Sequence, residues 1–267
     1  LLRAAAGELR LVGVAVQFLT RVPVPVQRFE ADALHASARH FPLVGAMVGA
    51  CAGAVLWGAA TGWPAGIAVL LSMAATAWLT GAFHEDGMAD TCDGLGGAVT
   101  RERALEIMKD SRLGSYGALG LGLTLALKAL SLMALLQMSP VVAAASSVLA
   151  HAVSRAAAVG VLAVLPYAGN LAQAKAQPLA QPARWHAPVI AAAWALAVGG
   201  VCGAATAAQL PALHWLWPML WAGVVAVWCA GWFRRRLGGW TGDTLGAVQQ
   251  WSEVAVYLAL AWGSVHA

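Results

Sequence analysis

Charge is what this chain has least of: Asp, Glu, Lys and Arg make up 10% of its 267 residues, against 60% apolar residues. A soluble domain carries about a quarter charged residues. This chain has too few to clothe a water-facing globule, whereas a coat of lipid needs none. Cysteine is scarce as well. Cys51, Cys92, Cys202 and Cys229 show no CxxC spacing; that excludes a zinc or disulfide framework, and three of them read as small hydrophobes inside apolar runs. Positive charge is in modest excess, +4, but it is spread through short connectors rather than gathered in a patch, so nucleic acid is excluded as a partner. Glu8 and Arg10 break the first apolar run and no cleavage site follows, so a removable signal peptide is not expected. With no internal repeat and no low-complexity linker, one domain over 1–267 is expected.

Long apolar runs are there in abundance. They fall at about 41–60, 66–84, 115–137, 141–165, 187–208, 212–232 and 244–265, each near the roughly 20 residues that cross a bilayer as a helix. The fold expected is therefore all-α: a polytopic transmembrane helix bundle of about seven spans. Residues 5–20 form a short or re-entrant helix ended by Pro23 and Pro25, and 30–40 form an amphipathic piece at the interface. Gly45, Gly49 and Gly53, and later Gly114, Gly117, Gly120 and Gly122, supply small faces for close helix packing in lipid. Trp63, Trp215 and Trp217 stand near run ends as interface anchors. Basic residues fall on alternate connectors: Arg3 to Arg39, then Arg101 to Arg112, then Lys175 and Arg184, then Arg234 to Arg236. The intervening connectors at 61–65, 138–140 and 209–211 have no Lys or Arg. By the positive-inside rule the N-terminus and the charged connectors are cytoplasmic.

The second connector reads His84-Glu85-Asp86-Gly87-Met88-Ala89-Asp90-Thr91-Cys92-Asp93-Gly94. Carboxylates crowded this closely repel one another when ionised. In a chain so short of charge, a divalent cation is the economical reason to gather them, and Mg²⁺ prefers carboxylate and phosphate oxygens. Asp86, Asp90 and Asp93, spaced i, i+4, i+7, fall within roughly 60° of arc on one helical face, with Glu85 off it. They are the metal-ligand candidates. A short amphipathic helix follows, with Leu105 and Met108 on its apolar side, and then Lys109-Asp110-Ser111-Arg112. These cationic and hydroxyl groups suit phosphate oxygens, and Asp110 suits either the metal or the proton of an attacking hydroxyl. A third polar cluster, Arg234 to Gly246, contains Asp243. Within spans, Lys128, Arg155 and Glu253 are costly unless paired or functional, for example as an Arg155–Glu253 ion pair. Aspartates, glycines and basic residues together at a membrane edge indicate phosphoryl or phosphodiester transfer with a metal-bridged diphosphate.

Several stretches resemble the cobalamin synthase family, the adenosylcobinamide-GDP ribazoletransferases. They are FLTRVPVP (18–25), FPLVGAMVG (41–49), GAFHEDGMADTCDGLGG (81–97), RERALEIMKDSRLGSYG (101–117), AVSRA (152–156) and LGGWTGDTLGA (237–247). The resemblance covers nearly the whole chain in order. It implies a Mg²⁺-dependent, multi-pass enzyme of the bacterial inner membrane that joins adenosylcobinamide-GDP to α-ribazole or its 5′-phosphate and releases GMP. Carried over by position, Asp86, Asp90 and Asp93 become metal ligands. Asp110 and Asp93 become catalytic, and Lys109, Ser111, Arg112, Arg155, Asp243 and Gly94 become substrate-binding. The lipid bilayer is a further partner, and a homo-oligomer is compatible with the sequence. Three rival readings stand beside it. A CDP-alcohol phosphotransferase shares the DG-and-spaced-Asp pattern, but Ala89 is followed by Asp90 where that pattern has Arg. A cation transporter would place its acids near the bilayer midplane, where only Glu253 lies. A scaffold would leave the acidic cluster without a task.

Overall fold

The structure, a computed structural model, describes residues 2–25, 31–169 and 186–264; Arg28, Lys175 and Arg184 lie outside them. Among the described residues it is all-α, with one isolated extended bridge between Tyr167 and Trp240. The helices are α1 (Leu2–Leu19), α2 (Ala31–Ser37), α3 (Phe41–Ala60), α4 (Ala65–Thr80), α5 (Phe83–Gly97) and α6 (Arg101–Ile107). Then come α7 (Ser115–Met138), α8 (Pro140–Val164), α9 (His186–Ala205), α10 (Trp217–Leu237) and α11 (Gly242–Ser264). Each apolar run is mainly helix. Among the described residues, four helical stretches are long and apolar enough to cross a bilayer: Asp32–Ala60, α7, α8 and α9. The bent pair α4–α5 makes a fifth if it counts as one span. By that measure the seven expected spans become four or five. The helices α10 and α11 have spanning length, 21 and 23 residues, but Arg234–Arg236 and a run of polar residues at 249–253 lower their hydropathy.

The run expected to continue to 84 stops at Thr80. Gly81 (φ 75°) and then Ala82 (φ 56°) both take left-handed backbone, and α5 leaves at 90° to α4. Glycine adopts that conformation freely, whereas Ala82 does so at a cost. Arg21 braces this elbow: its N–H donates to the Leu79 carbonyl at 2.8 Å, and a Cβ on Gly81 would lie 2.8 Å from its Nε.

Packing is closest where side chains are smallest. Along α3, a Cβ at Gly45 or Gly49 would collide with the backbone of α8 at His151 or Ser147, and one at Gly53 would reach the Ala144 carbonyl at 3.0 Å. This seam holds α3 against α8 without any hydrophobic drive between them, as lipid-embedded helices require. The outward surfaces remain apolar: Leu70, Trp78, Leu119, Leu123, Val201, Val227 and Trp262 are all exposed. Two of the three tryptophans expected as anchors, Trp63 and Trp217, are exposed. Trp215 is buried, its Nε1 donating to Thr206 Oγ1 at 2.9 Å. Of the cysteines, Cys202 and Cys229 are buried, Cys92 is half-buried, and Cys51, expected inside, faces outward.

The interior has two apolar cores with a polar layer between them. One gathers Leu19, Phe41, Val44, Met88, Val159, Leu162 and Trp240; the other gathers Leu56, Leu132, Leu135, Leu149, Tyr257 and Leu260. Between them Lys128 (α7) and Glu253 (α11), 3% and 0% exposed, form an ion pair at 2.5 Å. Gln249 Nε2 donates to Glu253 at 2.6 Å and to Ser154 Oγ at 3.0 Å. His151 Nδ1 lies 3.4 Å from Glu253. The partner expected for Glu253 was Arg155. Arg155 is instead engaged on its own helix, donating to the His151 carbonyl at 2.9 Å, while Lys128 reaches across from α7.

Removing one partner of a buried ion pair strands the other charge, at a cost of about 3–5 kcal/mol. Lys128→Met is therefore expected to lower the detergent melting temperature clearly, and Lys128→Met/Glu253→Gln to regain most of the loss. Equal melting of the single variant and the wild type would show that the pair is not stabilising.

Candidate active site at the α5–α11 crossing

The second connector is helix α5, and this sets all its acids at fixed register. It crosses the start of α11 at two glycines. A Cβ at Gly87 would come within 2.8 Å of the Asp243 Cα, and one at Gly246 within 3.0 Å of the His84 carbonyl. Only a bare backbone permits that approach. The start of α11 is fixed by reciprocal threonines: Thr244 N–H donates to Thr241 Oγ1 at 3.2 Å, and Thr241 N–H to Thr244 Oγ1 at 2.8 Å, a capping box in outline. Just before it, Trp240 is clipped to the strand-like link after α8, through Trp240 N–H to Pro166 O at 2.9 Å and Ala168 N–H to Trp240 O at 2.8 Å. Asp243 thus enters from a second helix to face the acids of α5.

The electrostatic consequence falls on Asp90. Its carboxyl is pushed up to about 7, first by burial and then by the negative charges of Asp243, Asp86 and Asp93. The three aspartates read as one face therefore act on one another, and Asp243 joins them. Glu85 points elsewhere: it accepts from Gln250 Nε2 at 3.2 Å, in keeping with its place off the face.

Asp93 is committed to a second task. Its two carboxylate oxygens accept the N–H groups of Gly114, at 2.7 Å, and Gly117, at 2.8 Å. These are the N-cap and first-turn amides of α7, so an acid on α5 caps a different helix, where negative charge is favoured. In doing so it ties the 109–117 segment to α5. Gly117 and Gly120 leave room for this contact, lying against Asp93 and Cys92. Gly94, carried over as substrate-binding, packs instead on α6: a Cβ there would meet Met108 Cγ at 2.7 Å and the Ala104 carbonyl at 2.9 Å.

Asp110 and Arg112 form a fork on the surface. Arg112 Nε lies 3.0 Å from Asp110 Oδ1, and Arg112 Nη2 lies 2.5 Å from Oδ2. The Arg112 hydrogen bonds hold the Asp110 carboxyl down at about 2. Lys109, Ser111 and Arg112 are exposed at this end. Arg101 and Arg236, expected to serve topology, also clamp carbonyls: Arg101 Nε on Leu237 O at 2.7 Å and Nη2 on Ala168 O at 3.0 Å, and Arg236 Nη2 on Ala98 O at 2.5 Å. They bring the second, fourth and sixth connectors to one end of the molecule.

Behind the aspartates lies a cavity of about 290 Å³ lined by Asp86 and Asp243, and further by Arg155, His84, Gln249 and Trp240 among others. Sequence reasoning placed Asp86, Asp243 and Arg155 in the site but missed His84, Gln249, Trp240 and the phenylalanines of the walls. Gln249 and Gln250 carried the same signal as Glu253, a polar group in an apolar helix. The aromatic residues carried none. Among the described residues no ready-made cage of three acidic, histidine or cysteine ligands is present. The oxygen-rich set around Asp90 nonetheless fits Mg²⁺, which commonly takes one or two carboxylates and leaves its other positions to water and substrate phosphates. The like-charge pressure on Asp90 is what such a cation relieves.

A family model described as cobalamin-5-phosphate synthase matches residues 11–261. The adenosylcobinamide-GDP ribazoletransferase of Leptothrix cholodnii is 54% identical over 265 residues, covering 96% of each chain. Its namesakes in Shewanella amazonensis and Ralstonia nicotianae are 45% identical over 258 residues and 43% over 266, covering 95% and 96% of both chains. No solved structure matches.

Asp90 is raised from its ordinary 3.8 to about 7 in the folded, metal-free protein, so folding is penalised progressively as pH rises between those values. Metal-free Asp90→Asn should therefore melt above the wild type at pH 8, with the gap closing at pH 5. Calorimetry should also show Mg²⁺ binding weakening, with proton release, as pH falls through 7. A pH-independent gap and affinity would remove Asp90 from the site.

Proposed function

The chain belongs to the cobalamin-5-phosphate synthase family, and on that premise we propose that it is a Mg²⁺-dependent adenosylcobinamide-GDP ribazoletransferase. The reaction joins adenosylcobinamide-GDP to α-ribazole or its 5′-phosphate. The ribosyl 3′-hydroxyl oxygen forms a bond to the cobinamide-side phosphorus, the bond from that phosphorus to the bridging oxygen breaks, and GMP leaves with the electron pair. The observation that carries this reading is the meeting of Asp86, Asp90 and Asp243 beside a cavity, with Asp93 anchoring the Lys109–Arg112 segment next to them.

Each group has a task that its surroundings suit. Asp86, Asp90 and Asp243 hold the ion. Magnesium, when bound, supplies positive charge against the diphosphate and the departing GMP. Asp93 fixes the 109–117 segment, so that Lys109, Ser111 and Arg112 present donors to phosphate oxygens. Asp110, held near 2 by Arg112, is a weak proton acceptor; its fork keeps the guanidinium oriented. With the α5 carboxylates engaged by the ion, the hydroxyl proton passes through water to a phosphate oxygen of the departing GMP. We further propose that this end faces the cytoplasm of a bacterial inner membrane. Support comes from Arg101 and Arg236, which clamp the basic connectors together at the site.

The test is nucleotide release by purified protein in liposomes. The proposal expects GMP, in step with corrinoid product, only with Mg²⁺ present, and a loss of about 100-fold or more in kcat for Asp90→Asn. CMP release from a CDP-alcohol, or undiminished turnover by Asp90→Asn, would overturn it.

A further inference from the structure

Of the carboxylates, Asp86 and Asp243 line the 290 Å³ cavity; the rest of its lining is a different chemical environment. Its walls are aromatic and aliphatic. Phe18 stacks on Phe41 with ring centroids 5.7 Å apart and meets Phe83 edge-on at 6.3 Å, and His84 lies against Phe83 at 3.8 Å. Trp240, Val159 and Leu162 complete the enclosure. These rings arrive from α1, α3, α5 and the α10–α11 link, so four separate parts of the chain converge on one slot.

The buried part of the lining carries an unspent polar function. Arg155 is 2% exposed and lines the cavity, and its Nε has no hydrogen-bond partner. Its Nη1 is already held by the His151 carbonyl at 2.9 Å, with His151 Nδ1 at 3.2 Å. Gln249, beside it, is fully engaged: its amide N–H groups go to Ser154 and Glu253, and its oxygen accepts from Gln250 Nε2 at 2.8 Å. Arg155 Nε is thus a buried donor in the lining of the slot whose hydrogen bond is unspent.

Resting on the reading above, we infer that this slot is the acceptor subsite, taking the flat dimethylbenzimidazole base of α-ribazole with its free ring nitrogen accepting from Arg155 Nε. The ribose then lies at Asp86 and Asp243, where its hydroxyl meets the diphosphate. Neither end of the other substrate matches as well. A corrin ring with its side chains is far larger than the cavity. Guanine would bring several donors and acceptors on its edges into apolar walls, where most would go unpaired. Dimethylbenzimidazole, once ribosylated, carries one acceptor and no donor, and its methyl groups suit aromatic contacts. The Lys128–Glu253–Gln249 layer is then the support that keeps Arg155 turned toward the base.

The test separates the two substrates kinetically, in full-length protein whose wild-type turnover of both is measured first. Free 5,6-dimethylbenzimidazole is expected to compete with α-ribazole and not with adenosylcobinamide-GDP. Arg155→Met, which removes the donor, and Ala158→Phe, which fills the slot, are expected to raise KM for α-ribazole about tenfold while KM for adenosylcobinamide-GDP stays within about twofold. Competition against adenosylcobinamide-GDP instead, or KM changes falling on that substrate, would overturn the subsite while leaving the activity intact. Absence of wild-type turnover would overturn the activity itself and the subsite with it.

Discussion

Two glycines let α5 lie on the backbone of α11, and the chemistry of this molecule follows from that contact. With a side chain at position 87, the Asp243 backbone could not come within 2.8 Å of where that Cβ would stand, and the two helices would separate. Asp243 would then leave the aspartate face. At this contact burial, and after it the charges of Asp243, Asp86 and Asp93, push the Asp90 carboxyl up to about 7. The folded chain thus holds negative charge in a place where it is costly without a cation. Active sites commonly carry such destabilisation, because the same groups that strain the free protein bind the ligand.

The position of α11 depends in turn on the buried polar layer. Gln249, Gln250 and Glu253 occupy successive inward positions on α11, and each is tied to a different helix: Ser154 on α8, Glu85 on α5, Lys128 on α7. Apolar cores above and below tolerate small slides, since packing is non-directional. Hydrogen bonds between specific atoms do not. A polar layer of this kind sets the register of α11, and therefore where Asp243 stands and how Arg155 is presented to the cavity. Its members lie between Leu149 and Val159 on α8 and between Val248 and Val256 on α11, at the boundary of the two cores.

Much of this was legible before any coordinates. The apolar runs located α3, α4 and α7 to α11, and the i, i+4, i+7 spacing identified the face on which Asp86, Asp90 and Asp93 influence one another. Glu85 was set aside by the same geometry and does turn inward to Gln250. What hydropathy hid was the elbow at Gly81–Ala82, because apolar residues continue through Ala82 and Phe83 while the backbone turns. The partner of Glu253 was also hidden: periodicity marks a buried charge as needing a counterion, but choosing between Arg155 and Lys128 requires knowing how α7 and α8 flank α11. Asp93 capping α7 from another helix, and the gathering of Phe18, Phe41 and Phe83 into one slot, are likewise tertiary facts with no local trace. Asp110 was different. Its fork with Arg112 is local, and its effect on proton affinity follows directly from the pairing.

The central claim is that the α5–α11 crossing is a cation site shared with a substrate diphosphate. The most direct measurement is a structure of the full chain in lipid with Mn²⁺ and adenosylcobinamide-GDP. The account predicts metal density between α5 and α11, touching Asp90 and at least one of Asp86 and Asp243, with phosphate oxygens completing its coordination. Metal bound away from this crossing, or a diphosphate held by arginines alone with Asp86 and Asp90 facing water, would contradict it.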